Sequence, residues 1–94
     1  MLYVQQWSLK NGLHKDMAQQ FILDNWAYPG VELIGRYHSC ASLEGWIILR
    51  TDDPKAIFVY TAKWANILDW KITPVFEDQD ALPMNSSVYE ENDD

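Results

Sequence analysis

The spacing of apolar residues switches between two periods along this chain, and the order of the switches constrains the fold more than any single residue does. Residues 1–9, MLYVQQWSL, alternate: Met1, Tyr3, Gln5, Trp7 and Leu9 fall on one face, Leu2, Val4, Gln6 and Ser8 on the other. Lys10, Asn11 and Gly12 then supply turn chemistry. Over residues 13–26 the spacing becomes helical, with Leu13, Met17, Phe21 and Ile22 in one stripe, and Pro29 and Gly30 close the segment. Residues 31–40, VELIGRYHSC, return to alternation, with Val31, Leu33, Gly35, Tyr37 and Ser39 opposite Glu32, Ile34, Arg36, His38 and Cys40. A four-residue link suits a hairpin to a third strand over 45–51, where Trp46, Ile48 and Arg50 oppose Ile47 and Leu49.

Thr51, Asp52, Asp53 and Pro54 carry the clearest local signal. An Asp before a Pro places an N-cap ahead of the first helical position, where the missing proline N–H costs nothing. The helix is predicted to run to about residue 68, with Ile57, Tyr60, Thr61, Trp64, Ile67 and Leu68 as its buried stripe. A fourth strand over 70–76 sets Trp70, Ile72, Pro74 and Phe76 opposite Thr73 and Val75, and Pro74, having no N–H to donate, points to an edge strand or a bulge. The order β-α-β-β-α-β specifies an α+β, ferredoxin-like fold, a four-stranded antiparallel sheet with two helices on one face. The second face would then expose large apolar residues, which marks an interface. A homodimer whose sheets meet face to face, a dimeric α/β barrel, is the expected assembly.

At 94 residues the chain makes one small domain with a thin stability margin of its own. Cys40 is the lone cysteine, so no disulfide staples it, and only His14 and His38 remain as nitrogen ligands, so no metal is expected. Association is the remaining source of stability, and five tryptophans favour it. Met1 opens an aromatic strand without a basic leader, and no apolar run approaches the roughly 20 residues that cross a bilayer. With a lone cysteine, these features predict a cytoplasmic protein without a membrane partner. The net charge of −7 gathers at one end: every acid from Glu77 onward (Glu77, Asp78, Asp80, Glu90, Glu91, Asp93 and Asp94) stands without a base among them. The chain thus divides into a domain over 1–80 and an acidic, flexible tail over 81–94, which stays solvated or touches a basic protein partner. No basic stripe exists to neutralise phosphates, so nucleic acid is not a partner.

The candidate site is the hairpin. Arg36 and His38 share a face by parity, Tyr37 lies between them, and the next strand brings Trp46 and Arg50 within reach. An imidazole among cationic and aromatic groups could serve as acid or base toward an anionic aromatic substrate, or simply pack. His38 is the candidate catalytic residue; Arg36, Tyr37, His38, Trp46 and Arg50 are the candidate ligand contacts. Tyr3, Trp7, Trp26, Tyr28, Trp64 and Trp70 either line a cavity or fill the core and interface. No phosphate loop, hydrolase elbow or paired-cysteine motif occurs, and no cofactor is called for.

The opening MLYVQQWSLKNG, the segment ELIGRYHS, the TDDP turn and the ending ILDWKITPVFED together resemble domain-of-unknown-function family 3303, over roughly residues 1–80. The resemblance implies a small bacterial protein with a fold similar to dimeric α/β barrels. It carries no assigned reaction, and so no catalytic residue. Proteins sharing that fold include cofactor-free monooxygenases, haem-degrading enzymes, lactone isomerases and stress-response proteins, and fold alone does not choose among them. Two functional readings stand. One is a homodimeric, non-catalytic binding or regulatory module. The other is a cofactor-free enzyme of monooxygenase or isomerase type, acting on a small aromatic or apolar molecule between sheet and helices.

Overall fold

In the computed structural model, which describes residues 1–90, the elements follow the order β1 (Leu2–Leu9), α1 (His14–Leu23), β2 (Glu32–His38), β3 (Glu44–Arg50), α2 (Pro54–Lys63), β4 (Leu68–Val75) and α3 (Asp78–Glu90). The strands form one antiparallel sheet ordered β2-β3-β1-β4, the ferredoxin-like arrangement. Pairing of Trp7 with Gly45 and Trp70, and of Gln5 with Ile47 and Ile72, sets these residues on one face. There they meet Met17 and Phe21 of α1, Ile57 and Tyr60 of α2, and Trp64 just beyond it, in one buried cluster. The opposite face carries Leu2, Val4, Trp46, Ile48, Tyr37 and Val75, none of them fully buried.

The local signals act as expected at α2. Asp53 Oδ1 accepts from the Lys55 N–H at 3.0 Å with Pro54 at the first helical position. Thr51 secures the cap, its buried hydroxyl accepting from the Asp53 N–H and donating to the Gly30 carbonyl at 3.1 Å. Pro74 lies on β4, an edge strand.

The helix expected to run to about residue 68 ends at Lys63, and β4 already begins at Leu68; three further features depart from the sequence expectation. First, α1 stops at Leu23, because Asn25 and Trp26 take left-handed backbone conformations (φ 52° and 59°). The Trp26 N–H bonds the Phe21 carbonyl and the Asn25 N–H that of Ile22, a Schellman cap without glycine. The Trp26 ring stacks on Phe21 at 4.9 Å, the apolar contact that accompanies such caps. Second, β2 slips register between Leu33 and Gly35, so Leu33 (opposite Leu49) and Arg36 (opposite Ile47) share the helix face that strict alternation would deny them both. Third, the segment expected as an acidic tail is helical: α3 runs through Glu90, although none of its residues is buried. Residues 91–94 of that expected tail lie outside the described residues.

At Gly45 the backbone leaves no room for a side chain. A Cβ there would strike the Trp7 indole and the Tyr37 carbonyl oxygen, both on adjoining strands. Gly45→Ala should therefore destabilise the fold by about 3 kcal/mol, at the upper end of overpacking, because backbone and a buried indole must move. Urea denaturation followed by tryptophan fluorescence measures it; a loss under about 1 kcal/mol would show that the sheet yields there.

Candidate functional site

The bulge and the α1 cap together build a cationic, aromatic cluster at the β2 edge. Arg36 leaves β2 toward the helices. Its Nη1 donates to the Trp26 carbonyl at 2.9 Å and its Nη2 to the Tyr60 hydroxyl at 3.4 Å, and its guanidinium lies 5.3 Å from the Phe21 ring centre. A planar cation over a ring face gains from the ring quadrupole. His38, one pleat along, is edge-on to three rings: Trp7 at 5.3 Å, Phe21 at 6.0 Å and Trp26 at 6.4 Å. Partial desolvation against these rings, helped by the nearby Arg36 charge, holds its pKa below the ordinary value of 6.5, although the residue as a whole is exposed.

Deeper in, Tyr28 and Tyr60 stack with ring centres 3.6 Å apart, and the Tyr28 hydroxyl donates to Gln5 Oε1 at 2.8 Å. Burial pushes both phenols above the ordinary tyrosine range. Gln5 is fully buried. Its Nε2, Arg36 Nε and the indole N–H groups of Trp7, Trp64 and Trp70 are buried donors with no acceptor among the described residues. The layer between sheet and helices is thus filled with rings and rich in donors. Lys63, at 2.7 Å from Asp24, ties the ends of α1 and α2 together and holds the Asp24 carboxyl below its usual range.

The candidate residues named from the sequence do not form one site. Arg36 and His38 come together as expected, but their neighbours across the hairpin are Ile47 and Gly45. Tyr37, Trp46 and Arg50 are on the opposite face, where Trp46 pairs with Tyr37 and Arg50 with Glu32 in register. Register and parity together force this separation: with Arg36 opposite Ile47, even-numbered β3 residues fall on the other face. Arg50 serves a different end, bridging Glu77 at 2.9 Å and Glu32 at 3.5 Å. Trp7, Trp64 and Tyr28 fill the core, Tyr3 and Trp70 pack against it, and Trp26 is half-exposed. Sequence reasoning missed Phe21 and Tyr60 as partners of Arg36, and Gln5 as the partner of Tyr28. A lone glutamine on an otherwise apolar, inward strand face was the available signal for Gln5. His14 and Cys40 are exposed. Among the described residues no three acidic, histidine or cysteine side chains gather as a metal site, and no helix is long and apolar enough to cross a membrane.

A βαββαβ sheet ordered in this way, covered by two helices on one face, defines an α+β domain of ferredoxin-like type. Over residues 1–89 the chain matches the family described as a domain of unknown function (DUF3303), and it belongs to that family. No curated protein matches it. The matched span includes nearly all of α3, beyond the stretch that the sequence motifs alone covered.

The depressed His38 pKa has a defined consequence for stability. Because the unfolded chain binds this proton more tightly, the native state should lose stability as pH falls through about 6.5, until the folded His38 also protonates. Titration of the imidazole by NMR should give a His38 midpoint below 6.5, and His38→Asn should flatten the slope of stability against pH in that window. A midpoint at or above 6.5 would mean that water reaches the ring freely.

Proposed function

We propose that this chain is a homodimeric, non-catalytic binding or regulatory module whose copies associate through the uncovered sheet face. The observation that carries the reading is the contrast between the two faces. The helix side is closed by Trp7, Phe21, Tyr28, Tyr60 and Trp64, leaving rings where a substrate would sit. The other side presents Val4, Trp46, Ile48 and Tyr37 in a contiguous apolar patch across three strands, with Lys71, Asp69 and Glu44 toward one end. An apolar centre with a polar margin is the composition of an interface. The exposed thiol of Cys40 suits a reducing compartment, which supports a cytoplasmic location.

A second reading, a cofactor-free monooxygenase- or isomerase-like enzyme for a small aromatic or apolar molecule, draws on the five buried donors without acceptors. A ligand bearing oxygen acceptors would satisfy them, with Arg36 beside it and His38 as acid or base. In that case His38→Asn would leave folding and dimerisation intact and lower any turnover roughly 100-fold or more.

Sedimentation velocity at micromolar concentration tests the first reading. The protein should run as a dimer of the 11.0 kDa chain. Ile48→Glu, which sets a charge in the centre of the patch, should convert it to a monomer with unchanged circular dichroism from the sheet and helices, since a carboxylate desolvated without a partner opposes association. A wild-type monomer would overturn the proposal.

A further inference from the structure

The connection from α1 into β2 and the flank of α2 enclose a bowl of about 320 Å³. Pro29 and Gly30 form one wall, Ala56 and Val59 the other, and the buried Tyr60 lies deepest. Particular residues hold it open. Gly30 has φ 81°, and a Cβ there would stand 2.9 Å from the Ala56 Cβ, so only glycine lets the connection come this close to α2. The Thr51 hydroxyl fastens both walls at one end, donating to the Gly30 carbonyl at 3.1 Å and accepting from the Asp53 N–H at 3.0 Å. At the other end of α2, Lys63 holds Asp24 at 2.7 Å. Tyr60 is fixed as well, stacked on Tyr28 at 3.6 Å and accepting from Arg36 Nη2 at 3.4 Å. Small-ligand sites are concave, mostly apolar, largely pre-formed spaces of about 300–1,000 Å³, and this bowl stands at the lower end of that range.

The charges around the bowl select its occupant. Lys55, Val59 and Lys63 recur at intervals of four along α2, so a lysine flanks the valine on each side. Lys63 is engaged by Asp24, whereas the Lys55 ammonium makes no ion pair or hydrogen bond among the described residues. Asp53 caps the helix: its carboxylate accepts from the Lys55 N–H and its carbonyl from the Ala56 N–H. These backbone donors are therefore taken, and attraction for an anion falls to the Lys55 side chain. One unpaired ammonium beside an apolar wall suits a single negative charge carried on an apolar body. A polyphosphate would find one free cation and meet the Asp53 carboxylate, and an amine would be repelled by Lys55.

We infer that this bowl binds a small organic carboxylate with an apolar body, its chain or ring against Val59 and Tyr60 and its carboxylate beside Lys55. Val59 is 67% exposed in the free chain and gains cover from such a ligand. The bowl lies on the helix side, away from the sheet face proposed for association, so the site stands or falls separately from the dimer.

The test is a titration of the isotope-labelled full chain with octanoate, below its micelle concentration, followed by two-dimensional NMR. Octylamine is the charge-reversed probe. Octanoate should shift the amides of residues 29–30 and 53–63 saturably, and octylamine should bind at least tenfold more weakly. Lys55→Glu sets an acid in the first turn, where the helix dipole favours it, so the spectrum of the free chain should otherwise persist while the octanoate dissociation constant rises at least tenfold. Lys55→Arg, which keeps the charge, should bind as the wild type does. Absence of saturable shifts, equal binding of octylamine, or an unchanged dissociation constant in Lys55→Glu would overturn the site. Shifts gathered instead at Tyr37, Trp46 and Ile48 would overturn it too, since the probe would then be held by the sheet face.

Discussion

The Trp7 indole lies across the bare backbone of Gly45, and the rest of the fold is arranged around that contact. Without a Cβ on β3, the largest side chain of the central strand can settle against the sheet and still present its outer surface to α1 and Trp64. Gly45 is also the residue opposite His38, so the same concession brings the imidazole to the indole edge. Phe21, Tyr60 and Trp64 then close the layer in tilted and edge contacts, geometries that aromatic rings prefer to direct overlap. One glycine thus sets how deep the core is and what surrounds the histidine.

Around this centre, two backbone irregularities decide which polar groups enter the interior. The register slip in β2 turns Arg36 toward the helices, and the left-handed pair Asn25–Trp26 brings the Trp26 carbonyl to receive it. Neither element would suffice alone. A regular strand paired in the register before the slip would set Arg36 on the uncovered face, and a longer α1 would carry Trp26 past Phe21. The guanidinium is held by a hydrogen bond to backbone, a hydroxyl and a ring face, with no carboxylate in contact among the described residues. Its positive charge is therefore not neutralised locally, which is why it also disfavours a protonated His38.

The element order, the α2 cap, the edge position of β4 and the buried stripe Ile57–Tyr60–Trp64 were all legible in the sequence, because each depends on near neighbours: a period, an Asp before a Pro, a missing N–H. The candidate site was half legible. The sharing of a face by Arg36 and His38 follows from alternation within one strand, whereas their neighbours depend on register between strands, which a link of uncertain turn type leaves open. Trp46 and Arg50 were misplaced for that reason. The Schellman cap was hidden because Asn25, not glycine, takes the left-handed position. The α3 helix was hidden because Pro83 and the polar residues around it read as a breaker and a tail.

The two margins of the sheet differ from its face in how they meet other chains. An edge strand offers a row of free N–H and C=O groups on which a further strand can add, the route to open-ended aggregates. Here one margin, β2, is broken by the register slip, and the other, β4, lacks a donor at Pro74. Both devices interrupt the regular ladder that strand addition requires. Growth from the margins is thus discouraged on both sides, and in the dimer proposed above contact through the face would end at a finite particle.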